Sequence, residues 1–376
     1  MLKFFLIAGE ASGDLHASNL IKAIRAQEPE AFFVGLGGDK MREAGCTLYQ
    51  DYRHMAFMGF VAVIQNLGEV RRNFRIAEQA LLKERPDVLI LIDYPSFNLR
   101  IAAFCKKHLP DTKIVYYIPP KIWAWKKRRV HTIARLCDAV LGIFPFEPAF
   151  YARYGYQCTY VGNPTAELLR HTRLPKRTHQ QPSEHAVTNT EKPFIALLPG
   201  SRQAEIKHCL PMMLAAARAF PNYPIVVTAA PGLDDAFYLP YLKDGESLRR
   251  DTYQVLASAQ AAVVNSGTAT LETALLGCPQ EAVYHVATGR VLGFLKPLLF
   301  TIPYFTLVNI ILGKEVIKEQ VAYHFTERDV REELDRLLHD EHYRAAMQHS
   351  YAELSTALGS SNASQTAAEE IIRLLK

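Results

Sequence analysis

An apolar run from Ala261 to Val264 breaks at Asn265-Ser266-Gly267-Thr268 and passes at once into a helical pattern through Leu271, Ala274 and Leu275. A turn of that kind aims unpaired backbone N–H groups and the positive end of a helix dipole at one point, which suits a phosphate. Glu272 lies about one turn inside the helix, where its carboxylate can reach sugar hydroxyls beside that phosphate. The plain alternative is a capped strand-to-helix turn with no ligand. The same logic recurs at Leu198-Pro199-Gly200-Ser201-Arg202-Gln203-Ala204-Glu205. Arg202 at the helix start brings a permanent charge whose bidentate geometry fits a diphosphate. Glu205 serves equally well as a ligand contact or as a helix cap.

Two further turns carry chemistry. Gly9-Glu10-Ala11-Ser12-Gly13-Asp14-Leu15-His16 follows the first strand, and its glycines allow close backbone approach while Glu10, Ser12, Asp14 and His16 supply polar groups. It is not a GxGxxG fingerprint, so dinucleotide binding is disfavoured. His16 has a bland alternative as a helix-face histidine bonded to a carboxylate. Ile92-Asp93-Tyr94-Pro95-Ser96-Phe97-Asn98 leaves a purely apolar strand, and Pro95 ends the ladder there. Asp93 is then either a helix N-cap or a group facing a cleft; the cleft is favoured because Asn98 can orient it. A carboxylate so placed can take a proton from an acceptor hydroxyl.

The chain has no Asp-x-Asp, HExxH or Walker-type motif, and His339-Asp340-Glu341-His342 reads as a solvated helix face rather than a metal site. No metal or cofactor is expected. Diphosphate charge must then be met by Arg202 and two helix starts.

The elements that position these turns alternate. Strand-like runs occur at Lys3–Ala8, Phe32–Leu36, Val88–Ile92, Lys113–Ile118 and Ala139–Phe144, then at Phe194–Leu198, Ile225–Ala229, Ala261–Val264 and Ala282–His285. Helical patterns such as Ser18–Ala26 and Leu67–Lys83 lie between them. Unbroken Val/Ile/Leu runs imply strands covered on both faces, hence parallel sheets. The reading is an α/β chain of two Rossmann-like domains facing an interdomain cleft: residues 1–172, a polar linker at 173–192, a second domain at 193–357, and a C-terminal helix within 358–376 that packs back on the first domain or on a partner subunit. Ligands of such sheets sit outside the carboxyl ends of the strands.

With 376 residues, 49% hydrophobic and 22% charged, the chain is long enough for two globular cores. Its six cysteines show no CxxC spacing, which favours free thiols and a cytoplasmic, reducing setting. The net charge of +5 suits an anionic ligand or membrane surface; nucleic acid is not expected, since no aromatic and basic interleaving accompanies it. No uninterrupted apolar run is long enough to span a bilayer. Phe57, Met58, Phe60, Val61 and Ile64, followed by Arg71, Arg72 and Arg75, suit insertion under anionic headgroups, with an ordinary core helix as the alternative.

The motifs GEASGD, IDYPSFN, IWAWKKRRV, FPFEPAFY, VGNP, LLPGSR and NSGTATLE occur in that order from Gly9 onward. Over nearly its whole length the chain resembles lipid-A-disaccharide synthase, a glycosyltransferase family of the GT-B fold class. The resemblance implies a UDP-2,3-diacylglucosamine donor and a 2,3-diacylglucosamine 1-phosphate (lipid X) acceptor. The acceptor 6-hydroxyl would invert the anomeric carbon to a β-1,6 link and release UDP. It implies Asp93 as general base, and Ser201, Arg202, Glu205, Ser266, Gly267, Thr268, Glu272 and Asn309 as the UDP-sugar set. Trp123 and Trp125 join Glu10, Ser12, Asp14, His16 and Asn98 on the acceptor side. It also implies peripheral association with the inner membrane and a homodimer formed by exchanging C-terminal segments. Where the family commonly has Ser-Pro-Ser before the tryptophan pair, this chain reads Pro119-Pro120-Lys121, and its usual VGHP is Val161-Gly162-Asn163-Pro164. The rival readings are a 2-epimerase or peptidoglycan-type transferase using UDP-N-acetylglucosamine, or a nonenzymatic UDP-sugar or lipid binder.

Overall fold

Residues Val88–Ile92 are all buried, and they form the middle of a wholly parallel sheet. In the computed structural model, which describes residues 1–55, 67–124, 127–172, 192–265, 267–284, 303–321 and 326–376, the strands are as follows. The first sheet contains β1 (Lys3–Ala8), β2 (Phe32–Gly37), β3 (Thr47–Asp51), β4 (Val88–Ile92), β5 (Lys113–Tyr117), β6 (Ala139–Gly142) and β7 (Thr159–Tyr160). Its order is β3-β2-β1-β4-β5-β6-β7. The second contains β8 (Ile195–Leu198), β9 (Ile225–Thr228), β10 (Ser247–Arg249), β11 (Ala261–Asn265), β12 (Gln280–Tyr284) and β13 (Glu319–Val321), in the order β10-β9-β8-β11-β12-β13. Both sheets are α/β and doubly wound, as expected from their apolar strands.

Each sheet therefore has a point where consecutive connections leave in opposite directions. It lies between β1 and β4 in the first and between β8 and β11 in the second, where ligands of this architecture bind. The four motif turns all follow one of these strands: Gly9–His16 after β1, Asp93–Asn98 after β4, Pro199–Glu205 after β8 and Ser266–Glu272 after β11.

The chain forms two compact units, Met1–Glu167 with Ser360–Lys376, and Leu168–Gly359. The first boundary lies within the helix Pro164–His171, ahead of the expected position after residue 172. The expected linker, apart from Lys192, lies outside the described residues. The C-terminal helix Ala363–Arg373 belongs to the first unit, where Ala367, Ala368 and Ile371 join Leu20, Ile21 and Ile24 of the helix Ala11–Gln27 in one core. The second unit has its own core around Phe194, Leu198, Val255, Leu256 and Val264. The six cysteines form no disulfide with one another. Among the described residues no helix is long and apolar enough to cross a membrane.

Candidate active site

The turn after β1 passes directly beneath the Tyr94 ring. A Cβ on Gly9 would stand 2.4 Å from Tyr94 Cγ, so only glycine lets the two turns meet. Ser12 Oγ donates to Glu10 Oε1 at 2.7 Å, so these two polar groups hold each other at the surface. Asp14 corrects the expectation that it faces a ligand. Its carboxylate points inward and accepts from the backbone N–H groups of Gly38 at 2.8 Å, Lys40 at 3.1 Å and Met41 at 3.1 Å. Asp14 thereby satisfies the start of the short helix Asp39–Glu43. Burial lowers the pKa of the half-buried His16 to about 4, so it is neutral at ordinary pH.

Asp93 follows five apolar residues and adopts a left-handed backbone at φ 44°, and Tyr94 repeats it at φ 43°. Non-glycine residues there cost about 1–2 kcal/mol each, so the surroundings must impose the turn. They do so through the backbone. The Asp93 N–H donates to Ile118 O at 3.2 Å, and its carbonyl accepts from Tyr116 Oη at 2.7 Å and Asn98 Nδ2 at 2.8 Å. Tyr94 Oη donates to Met55 O at 2.6 Å. Asn98 is fully buried and grips that carbonyl, not the Asp93 carboxylate it was expected to orient. The helix Pro95–His108 then starts with its proline, which needs no N–H partner. Burial, and then the Glu10 charge, raise the Asp93 pKa to about 6, while Lys121 works the other way. The result is a partly exposed carboxylate that is ionised at neutral pH yet basic enough to accept a proton.

Trp123 does not offer a free ring to a ligand. It is 5% exposed, meets Phe144 and Phe146 edge-on at 6.0 Å and 5.0 Å, and donates through Nε1 to Glu147 Oε1 at 3.4 Å. Glu147 is fully buried and also accepts from the Ile143 and Phe144 N–H groups at 2.8 Å and 2.9 Å. Burial lifts its pKa to about 7 against those hydrogen bonds. Sequence reasoning gave Glu147 no role; the sign was an acid inside the aromatic run FPFEPAFY. Trp125 lies outside the described residues. Asn163 caps the next helix, its Oδ1 accepting from Thr165 N–H at 3.0 Å and Ala166 N–H at 3.1 Å.

In the second unit Gly200 has φ 118°, and a Cβ on it would meet Asn265 Nδ2 at 2.6 Å and Glu205 Oε2 at 2.8 Å. Asn265, also missed by the sequence reading, is buried at the end of β11 and donates to Pro199 O at 3.0 Å, tying the two turns together. Glu205 resolves toward the cap. It accepts from the N–H groups of Ser201 at 3.1 Å and Arg202 at 3.3 Å, and from Arg202 Nη1 at 3.1 Å. An internal carboxylate thus already occupies the donors of this helix start. The other start differs. Gly267, at φ 120°, is the N-cap of the helix Thr268–Leu275 and has no side chain to cap it with. Thr268 is exposed there, and Ser266 lies outside the described residues. Glu272 accepts from Tyr253 Oη at 3.0 Å, and burial raises its pKa.

Asn309 is not a surface contact either. Fully buried, it donates to Ile317 O at 2.8 Å and Glu319 Oε1 at 2.9 Å and accepts from the N–H groups of Val316 and Ile317 at 2.8 Å and 3.0 Å. All four of its hydrogen-bonding positions are taken. Among the described residues no group of three or more His, Cys, Asp or Glu is placed to hold a metal ion.

Residues 4–372 match the family model described as lipid-A-disaccharide synthetase. A lipid-A-disaccharide synthase of Trichlorobacter lovleyi is 35% identical over 383 residues, with 100% of this chain and 98% of that protein covered. One from Myxococcus xanthus is 34% identical over 386 residues, covering 99% and 97%. The chain belongs to the lipid-A-disaccharide synthase family. Solved structures share the fold at lower identity. The UDP-GlcNAc 2-epimerase from Neisseria meningitidis bound to UDP-GlcNAc aligns at TM-score 0.61 and 12% identity, over 99% of each chain. The calicheamicin glycosyltransferase CalG4 aligns at 0.60 and 15%, over 100% of this chain and 98% of that one. For this member of the synthase family the expected membrane segment is only partly visible. Arg71, Arg72 and Arg75 are exposed on the helix Leu67–Glu84, while Phe57, Met58, Phe60, Val61 and Ile64 lie outside the described residues.

Proposed function

We propose that this chain is an inverting glycosyltransferase of lipid A biosynthesis, condensing UDP-2,3-diacylglucosamine with 2,3-diacylglucosamine 1-phosphate to give the β-1,6 disaccharide 1-phosphate and UDP. The observation that carries the mechanism is Asp93, a carboxylate with pKa about 6 held in a strained turn at the β1–β4 switch point. Strain kept at a functional site is the expected sign of a side chain whose direction matters. Asp93 takes the proton of the acceptor 6-hydroxyl as that oxygen attacks the anomeric carbon, and the bond to UDP breaks on the opposite face. Negative charge grows on the departing diphosphate. The N–H groups that follow Gly267 would receive it, joined by the Arg202 guanidinium as it turns from Glu205 Oε1 toward the diphosphate. Glu272, one turn further on, fits the sugar hydroxyls. Neutral His16 and the paired Ser12 and Glu10 supply hydrogen bonds to the acceptor.

Both substrates carry acyl chains, so the reading places the chain at the inner membrane surface. The exposed arginines of Leu67–Glu84 would meet anionic headgroups. A dimer by segment exchange would have to transfer the packing of Ala367 and Ile371 from this chain to a partner.

The test is one incubation of the purified chain with labelled UDP-2,3-diacylglucosamine and lipid X, followed by chromatography. Disaccharide and UDP in equal amounts are expected. Turnover of UDP-N-acetylglucosamine without a lipid acceptor, or UDP binding without any product, would replace this reading.

A further inference from the structure

The order β1-β4-β5-β6 places one charged residue from each of four neighbouring strands near the same edge: Glu10 after β1, Asp93 after β4, Lys121 after β5 and Glu147 after β6. Three are carboxylates and one is an ammonium. Among the described residues, Lys121 is the one cation whose charge bears on Asp93, and it interacts in turn with Asp93, Glu147 and Glu10.

The backbone carrying Lys121 is fixed relative to Asp93. The Asp93 N–H donates to Ile118 O at 3.2 Å, and the Ile118 N–H donates to Leu141 O at 3.1 Å, so the ends of β4, β5 and β6 are tied in series. Ile118 itself sits at φ 58°, a left-handed conformation that β-branched residues rarely adopt, and turns the chain out of the sheet. Pro119 and Pro120 then restrict the backbone, and the Ala124 N–H donates to Lys121 O at 3.1 Å to close the turn. Trp123, anchored on Glu147, locks the far side. A flexible surface lysine would need none of this.

We propose that Lys121 is a positioning residue for Asp93: its ammonium is the counter-charge that balances Glu10 and keeps the carboxylate in its proton-accepting form. The catalytic role of Asp93 rests on the function proposed above; the charge balance does not. The groups facing Asp93 are Glu10 from the turn after β1, Lys121 from the turn after β5, and the hydroxyl of Tyr116, which bonds the Asp93 carbonyl. Without Lys121, burial and Glu10 are opposed by the Tyr94 backbone hydrogen bond alone, and the carboxyl holds its proton to higher pH.

The experiment measures Asp93 directly. Carbodiimide coupling, which consumes the protonated carboxyl, is followed at Asp93 by peptide mass spectrometry across pH in the full chain, in Lys121→Gln and in Lys121→Arg. The wild-type midpoint is expected near 6. In Lys121→Gln it moves up by about one pH unit, the low end for a nearby counter-charge. Lys121→Arg brings it back. The acidic limb of kcat/KM for disaccharide formation follows the same order, while the plateau at high pH is kept. An unmoved midpoint in Lys121→Gln, or an equal displacement in Lys121→Arg, overturns the proposal. So does an unmoved limb with a raised KM for the acceptor, which would make Lys121 a grip on the acceptor phosphate. A wild-type chain that forms no disaccharide sinks the proposed function alone, and the labelling curves still decide Lys121.

Discussion

At the switch point of the first sheet the residues in left-handed backbone are Asp93 and Tyr94, at φ 44° and 43°. At that of the second sheet they are Gly200 and Gly267, at 118° and 120°. The topology is shared, and the residue types are opposite. Glycine at a turn gives up a side chain so that backbone N–H groups can approach a ligand closely. A bulky or charged residue in the same kind of turn accepts strain so that a side chain can point where a relaxed backbone would not send it. The first edge therefore presents side chains, with Asp93 foremost, and the second presents the amides that follow Gly267. The proposed transfer would use that division, with a base for the acceptor in the first unit and an anion cradle for the leaving group in the second.

If glycine at the second edge is there for close approach, Gly200→Val should do the most damage. Its backbone strain alone costs about 1–3 kcal/mol. The side chain would also collide with Asn265 and Glu205. Calorimetry should show the unfolding of the second unit lowered by at least about 5 °C. An unshifted transition would mean that the turn has room to relax and that glycine is incidental. Next in size is Arg202→Gln, which removes one charge-assisted contact. UDP affinity by isothermal titration should fall about tenfold to a hundredfold while the fold is kept. Unchanged affinity would leave the amides after Gly267 as the whole cradle. The smallest effect sharpens the first edge. In the wild type, kcat/KM should fall as pH drops through about 6, because Asp93 must be ionised to act as a base. The Glu10 charge raises that value. Glu10→Gln should therefore move the acidic limb down, by less than about one pH unit, opposite in sign to Lys121→Gln.

The comparison also shows what could be read before the fold was known. β1 and β4 match the predicted runs Lys3–Ala8 and Val88–Ile92 residue for residue, since unbroken apolar segments admit only strands covered on both faces. β12 was expected from Ala282 but begins at Gln280, because Gln280 and Glu281 are polar and yet fully buried, Gln280 donating to Thr270 O at 2.9 Å. Edge strands such as β3 and β10 escaped notice for the opposite reason: they are short and only partly covered, so no apolar run marks them. All four chemistry-bearing turns were legible, because a strand that breaks at Gly or Pro into a helix leaves a local mark. The partners of their side chains were not. Asp14 bonds to amides 24 to 27 residues away, and Asn309 answers to Glu319 and Ile317 across a turn. Spacing alone cannot separate such inward groups from outward ones. Glu205, by contrast, was open between cap and ligand from the start, and its bonds to the Ser201 and Arg202 amides decide for the cap.

The most direct test sets Asp93→Asn beside the wild type, measuring disaccharide formation and UDP affinity on the same preparations. Asparagine tolerates the left-handed turn and keeps its shape, so the variant should fold and bind UDP as before. Its turnover should fall by a factor of about 10² to 10⁴, the usual contribution of a general base. Near wild-type turnover in a variant that binds UDP normally would contradict the account.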